Sequence, residues 1–208
     1  MKTLLISVVM IMFGTSSKSA GEMSEAQRDY LVDYLTDTEK NLFEKVKKLS
    51  ADQWLYKPAE DVWSIAQICD HLMNAEESLT KRSRGLLEAP PQYDKQVDMD
   101  SRVEAVLNII SEKNRKTAKI PVAAGTEPMT TEVRWKTPKE FIKEFKALRD
   151  ENIKFIRTTD KPLLAHYNPL IAQLGEMNSY LWTVFMAAHS ARHTAQIEEV
   201  KGHDSYPN

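Results

Sequence analysis

Residues 178–202 read NSYLWTVFMAAHSARHTAQIEEVKG and show the clearest helical period in the chain. Asn178 can cap the first turn and Gly202 is a natural stop, so the stretch predicts one long helix. At 100° per residue, one predicted side of this helix carries Trp182, Phe185, Met186, His189, His193, Gln196 and Val200. The opposite side carries Ser179, Thr183, Ser190, Thr194 and Glu198. The pattern therefore turns both histidines toward the core, four residues apart, where two imidazoles can bind a single cation.

A second helix is predicted from the sequence WSIAQICDHL, residues 63–72. Ser64 can cap this helix, Gln67 can return the bond three residues later, and Trp63 can pack against Ile68. His71 then lies two turns inside the helix, which has an apolar face made of Ile68, Leu72, Ala75 and Leu79. The side that carries the histidine is shared by Gln67, Asn74 and Ser78. We expect the helix to end before Pro90 and Pro91, which cannot continue it.

Three further helices complete the predicted fold. The first begins at a capping box of Ser24 and Gln27, and its apolar seam consists of Leu31, Leu35, Thr38, Leu42, Val46 and Leu49. A shorter helix is predicted from about Asp100 to Lys116, followed by a long loop up to Lys136. Another begins at Thr137 and carries Phe141, Phe145, Leu148 and Ile156. Four long amphipathic helices and one short helix predict an all-α fold, a four-helix bundle over residues 24–201 with a C-terminal tail at 202–208.

The composition is that of one soluble, mostly helical domain, since 42% of the 208 residues are hydrophobic, 28% are charged and only six are glycine. Residues 1–20 have the order of a secretory signal peptide: Lys2, an apolar run over residues 4–13, and then small residues. Cleavage near Ser19 or Ala20 predicts a periplasmic or secreted protein without a membrane span, and an uncleaved anchor is the alternative. Without Lys2 and Lys18 the chain has 26 basic and 30 acidic residues, a net charge of −4. This charge argues against nucleic-acid binding.

A divalent metal site is the chemistry that His71, His189 and His193 predict. Three neutral imidazoles leave the charge of the ion uncancelled and leave coordination positions open, which is typical of catalytic sites. Zinc is the expected ion, with nickel, iron and manganese as alternatives. Glu76 lies five residues after His71, about 140° around the helix, so no carboxylate joins the site by its spacing and no general base is assigned.

Other residues are candidates for the surroundings of the site. Gln196, one turn after His193, is interpreted either as a residue that orients a ligand or substrate, or as a buried glutamine bonded to nearby backbone. Trp182 and Phe185 are interpreted either as core residues or as an apolar pocket wall beside His189. The remaining pocket candidates are Gln67, Asn74 and Ser78.

Several polar residues are placed outside the site. Glu76 and Arg192 are expected to be solvated helix charges rather than parts of the pocket rim. Cys69, the only cysteine, is expected to be a buried inert thiol. His166 and His203 have no helical context and are excluded.

The string from Trp63 to Leu72, together with the closing stretch from Gly175 to Ile197, resembles the two histidine-bearing helices of the DinB-like superfamily of metal-binding bundles. Both motifs carry the histidines in the expected chain order, and the resemblance extends from about Glu25 to Lys201. It implies a four-helix bundle with a long crossover and a divalent metal bound by the three histidines. Family members with an assigned activity are mostly thiol-cofactor-dependent transferases or isomerases, and many others are classed as metal-dependent hydrolases. An export signal disfavours a reduced thiol cofactor, because such thiols are scarce in oxidising compartments.

Three functions are consistent with these features. The leading hypothesis is an exported metal-dependent hydrolase or transferase with a small-molecule substrate, either monomeric or as a homodimer. The second is a non-catalytic binding or stress-response protein in which the metal only ties helices together. The third is a helical interaction domain with three satisfied core histidines and no metal.

Overall fold

The protein is a bundle of helices in the computed structural model, which describes residues 21–60, 62–95, 97–110, 133–168 and 174–208. Its helices are α1 (Glu25–Val46), α2 (Ala51–Leu55), α3 (Ile65–Gly85), α4 (Met99–Ile110), α5 (Pro138–Thr158) and α6 (Ser179–Lys201), and a 3-10 turn follows α3 at Leu86–Glu88. An isolated antiparallel β-bridge joins Tyr167 and Asn178. The predicted signal peptide, the end of the predicted third helix at 111–116 and the predicted loop up to residue 132 lie outside the described residues.

The starts of the long helices are set by local hydrogen bonds that the sequence predicts. Reciprocal capping boxes begin α1 at Ser24, α3 at Ser64 and α5 at Thr137. Asn178 accepts a bond from the backbone N–H of Leu181 at the start of α6. A fourth capping box at Ser50 begins the short α2, which the sequence analysis missed.

Four long helices form the bundle, in the spatial order α1, α6, α3 and α5 around it. Lys45, near the end of α1, pairs with Glu198 near the end of α6, so these two helices run parallel. Ser83, near the end of α3, donates to the carbonyl oxygen of Ser179 at the start of α6, so these two are antiparallel. Phe43 packs against Phe145 and places α5 antiparallel to α1. The neighbours α3 and α5 are therefore parallel and need the long connection that contains α4, which confirms the predicted bundle with a long crossover.

Helix α6 is buried on both of its predicted sides because it packs against α1, α3 and α4. The side read as polar in the sequence is buried as well: Ser179, Thr183, Ser190 and Thr194 are at most 3% exposed. Their hydroxyl groups can be buried because three of them bond to carbonyl oxygens one turn earlier in α6. The two-sided interpretation of this helix was wrong, and α6 is the central element of the bundle.

Glu76 is not a solvated helix charge, and that expectation was also wrong. Its carboxylate is 1% exposed and binds the guanidinium of Arg149, which is 0% exposed, at 2.7 Å. The pair lies between two apolar clusters, one built around Leu35, Val106 and Ile156 and the other around Leu42, Trp54 and Phe145. A polar layer therefore crosses the middle of the bundle.

The residues after α6 pack against α2. The hydroxyl of Tyr56 lies 2.7 Å from Nδ1 of His203, and the Tyr56 ring meets that of Tyr206 edge to face. The side-chain amide of Gln53 donates to the carbonyl oxygen of Pro207. Within the described ranges, no helix is long and apolar enough to span a bilayer.

Candidate metal centre

The three predicted histidines converge at one point between α3 and α6. Nε2 of His71 lies 3.3 Å from Nε2 of His189. The candidate ligand atoms of these two histidines and of His193 all lie within 4.8 Å of one another. Their ring centroids are 4.4 to 5.0 Å apart.

Local sequence determines this convergence. The capping box at Ser64 starts α3 at a definite residue, two turns before His71. His189 and His193 are one helical turn apart and therefore project from the same side of α6. Because α3 and α6 run antiparallel in contact, the single histidine of one helix meets the pair on the other.

The donor set fits a divalent ion of the zinc type. Two imidazole nitrogens bound to one zinc ion at roughly 2.0–2.1 Å with tetrahedral angles are about 3.3–3.4 Å apart. The distance between the Nε2 atoms of His71 and His189, 3.3 Å, has this value. Imidazole also suits nickel, copper and iron, whereas manganese prefers oxygen ligands.

Gln196 controls the orientation of the third imidazole. Its Oε1 lies 2.7 Å from Nδ1 of His193. A carbonyl oxygen can only accept, so Nδ1 of His193 carries the proton and the lone pair is on Nε2. Such a bond to the outer nitrogen is the usual way in which proteins orient a metal-binding histidine.

Burial keeps His71 and His189 neutral at physiological pH. Removal from water, together with the positive charge of Arg192 as the smaller cause, lowers the pKa of His71 to about 4. Burial also lowers the pKa of His189 well below its ordinary value, with the other two histidines and Arg192 as smaller causes. Neutral imidazoles are the form that binds metal ions, so protons do not compete for these two rings near pH 7.

Aromatic rings border the site from α6 and from the residue before the cap of α3. The Phe185 ring stacks on His189 with an interplanar angle of 21° and a centroid distance of 6.0 Å. Trp182 meets Phe185 edge to face at 5.7 Å, and both side chains belong to the buried core. Trp63, which the sequence analysis considered only as a helix staple, lies 5.3 Å from His71. The surroundings of the histidines are therefore largely apolar.

The structure does not bring every predicted pocket residue to the histidines. Oε1 of Gln67 accepts from the backbone N–H of Ser64 in the capping box. Asn74 accepts a hydrogen bond from Arg134, and Ser78 is exposed. Of the predicted polar candidates, Gln196 has a hydrogen bond to a histidine of the cluster.

Charged residues are placed differently from the sequence prediction. Arg192, which we expected to be solvated, is only partly exposed, and its charge acts on two of the histidines. Among the residues that the structure describes, no aspartate, glutamate or cysteine joins the three-histidine group.

The excluded residues lie elsewhere. Cys69 is fully buried, and burial raises the pKa of its thiol, which keeps it protonated. The ring of His166 is buried against the carbonyl oxygen of Leu86. His203 contacts Tyr56 beyond the end of α6.

Comparison with known proteins agrees with this arrangement. The family model described as the DinB superfamily matches residues 34–197, which includes all three histidines. The chain belongs to the DinB superfamily. Among curated proteins, none matches it.

A solved structure has a similar fold to this DinB-superfamily chain. It is that of YfiT from Bacillus subtilis, with a TM-score of 0.54 and 18% sequence identity, and the match covers 90% of this chain and 91% of that chain. YfiT is described as "a probable metal-dependent hydrolase with an unusual four-helix bundle topology". At this identity the likeness shows a shared fold.

Proposed function

We propose that the protein binds one divalent metal ion through His71, His189 and His193, with zinc as the first candidate. The observation that supports this proposal most strongly is the separation of 3.3 Å between the Nε2 atoms of His71 and His189, with His193 beside them. The bond from His193 to Gln196 and the low pKa values of the other two rings favour the same function.

The reaction we propose is a metal-dependent hydrolysis or group transfer on a small molecule. An ion bound by three neutral imidazoles supplies Lewis-acid activation of water or of a substrate heteroatom. The chain's own residues prepare the site: Gln196 holds the ring of His193, and Phe185 and Trp63 give the site apolar walls. The description of YfiT supports hydrolysis, and a thiol-dependent transfer is the less favoured choice.

A second candidate function is a non-catalytic protein in which the ion ties α3 to α6. The absence of a carboxylate from the histidine group, among the described residues, favours this reading because no general base is in place. The variant His193→Ala separates the two functions. A structural ion predicts a large loss of thermal stability, whereas a catalytic ion predicts a folded bundle without turnover.

Elemental analysis of the protein, purified without a histidine tag, tests the metal proposal. We expect close to one equivalent of a divalent ion per chain in the wild-type protein, and a large reduction in each single histidine-to-alanine variant of the three ligands. His166→Ala is the matched control, since this buried histidine lies outside the cluster, and it is expected to keep the ion. A wild-type protein that contains no ion and gains none on addition would remove the basis of the proposal.

We also propose that the protein is exported to the periplasm or secreted. The order of residues in 1–20 supports export. The residues that follow this segment are packed: Gly21 accepts a bond from the N–H of Leu164, and Met23 is 1% exposed in the core. Cell fractionation with N-terminal sequencing of the isolated protein tests this, and an intact Met1 on cytosolic protein would contradict it.

A further inference from the structure

The buried guanidinium of Arg149 joins all four helices of the bundle. Nε and Nη2 donate to the two carboxylate oxygens of Glu76 on α3, both at 2.7 Å. Nη1 donates to the carbonyl oxygen of Leu35 and to the hydroxyl of Thr38 on α1, both at 3.0 Å. Nη2 also donates to the hydroxyl of Ser190 on α6 at 2.8 Å. All five N–H groups of the guanidinium are therefore used.

The Glu76 carboxylate and the Ser190 hydroxyl are themselves held in place. The amide of Asn152 donates to Glu76 at 3.0 Å and to Thr80 at 2.8 Å. Ser190 in turn donates to the carbonyl oxygen of Met186 at 3.2 Å. Each partner of Arg149 has a second hydrogen bond, so the network favours one arrangement of the helices.

This network lies within about one and a half helical turns of the histidines. Ser190 directly follows His189 in α6, and Glu76 follows His71 by five residues, which is about 7.5 Å along α3. A single nitrogen, Nη2 of Arg149, binds both Glu76 and Ser190. It thus joins the two helices that supply every candidate ligand.

We propose that Arg149 is a positioning residue for the metal site, because its bonds to Glu76 and Ser190 set how α3 faces α6. The inference rests on the proposed metal binding by the three histidines. Stability alone does not account for the network, since well-packed apolar residues in place of a buried ion pair are often equally stabilising. An ion, in contrast, needs its ligands held to within about 0.5 Å of their bonding positions. A planar guanidinium with all its hydrogen bonds made holds the helices in one position relative to one another, whereas an apolar contact allows them to slide.

The test is titration of the full-length protein with Co²⁺, with visible absorption as a measure of affinity and ligand geometry. One variant, Ser190→Ala, removes a single link to α6. A second, the double variant Glu76→Leu with Arg149→Met, replaces the ion pair by apolar side chains and leaves no unpaired charge. The control is Ser83→Ala, which removes a buried bond between α3 and α6 that lies twelve residues from His71.

We expect the two network variants to keep the helical circular dichroism of the wild-type protein. Their dissociation constants for Co²⁺ should rise about tenfold or more, the range found for residues that orient metal ligands. Their cobalt spectra should also shift or lose intensity. Ser83→Ala should stay within about twofold of the wild-type protein, since one neutral hydrogen bond contributes little.

The inference is overturned if a folded double variant binds Co²⁺ with the wild-type affinity and spectrum. Should the double variant fail to fold, Ser190→Ala decides: an affinity within twofold of wild type overturns the inference. Equal weakening in Ser83→Ala also overturns it, because general loosening of the helix pair would then suffice. A wild-type protein that takes up no Co²⁺ overturns both this inference and the proposed function, whereas unaffected variants of a cobalt-binding protein overturn this inference alone.

Discussion

Replacing Arg149 by methionine should destabilise the metal-free protein far more than the loss of a surface charge on the same helix. The guanidinium and its partner Glu76 are 0% and 1% exposed, so the substitution leaves a carboxylate without its counter-charge in the core. Breaking a buried pair in this way costs about 3–5 kcal/mol, a large share of the roughly 5–15 kcal/mol that stabilises a typical domain. For a chain of this size, that loss corresponds to a fall in Tm of roughly 6–20 °C.

Urea unfolding in the presence of a chelator, followed by far-ultraviolet circular dichroism, measures this loss. The matched control is Lys146→Met, one turn earlier in α5, whose side chain is 54% exposed and whose ammonium lies 2.7 Å from Asp150 and 3.7 Å from Glu39. An exposed pair of this kind contributes about 0.5 kcal/mol or less. The reasoning fails if Arg149→Met loses less than about 1 kcal/mol or no more than the control, since the buried pair would then not matter to stability.

Three other outcomes are expected. Ser64→Ala should lower the free energy of unfolding, measured in urea, by about 1 kcal/mol, because it removes the cap that starts α3. The control Ser78→Ala, at an exposed position on the same helix, should change it by almost nothing, and equal losses in the two variants would contradict the capping role. The pKa of His71 falls from 6.5 to about 4 on folding, so the unfolded chain takes up the proton first. Stability is therefore lost as the pH falls from about 6.5 to 4, by up to about 3 kcal/mol. The chelator-treated variant His71→Gln should show a shallower loss of stability in this window, and a pH profile identical to that of the wild type would refute the assignment. Deleting residues 203–208 removes the contacts of the tail with Tyr56 and Gln53 and should lower the Tm, measured by calorimetry, by a few degrees. An unchanged Tm would show that these contacts contribute nothing to stability.

The sequence predicted features whose cause is local. Capping boxes at Ser24, Ser64 and Thr137 each involve residues three apart, so the bonds that start these helices can be read from short strings. The pairing of His189 with His193 follows from helical geometry in the same way. The fold class followed because four amphipathic helices have few ways to bury their apolar sides.

Features that depend on distant residues were not predicted. Glu76 looked like a surface charge because its partner, Arg149, is 73 positions away in the sequence. The burial of Thr183 and Ser190 was missed for a different reason: each hydroxyl bonds within its own helix, so a residue that looks polar in sequence is satisfied without water. Because these hydroxyls need no water, α6 can pack against three neighbouring helices. Its sequence pattern predicts only one apolar side and does not show that the other side is packed as well.

One predicted pocket residue also has the second role that the same string predicts. Gln67 was identified both as the return partner of the Ser64 cap and as a side chain of the site, and its amide has an acceptor oxygen and two N–H donors to share between such roles. Its Oε1 accepts from the backbone N–H of Ser64 at 3.0 Å. The cap uses this oxygen alone and leaves the N–H groups of the amide to other partners.

Anomalous X-ray diffraction at the absorption edge of the bound metal, from crystals of the protein purified without a histidine tag, tests the central claim most directly. The account predicts one strong peak between α3 and α6, about 2.0–2.1 Å from a ring nitrogen of each of His71, His189 and His193 if the ion is zinc. A peak at His166 or His203 instead, or no peak in crystals grown with added zinc, would contradict it.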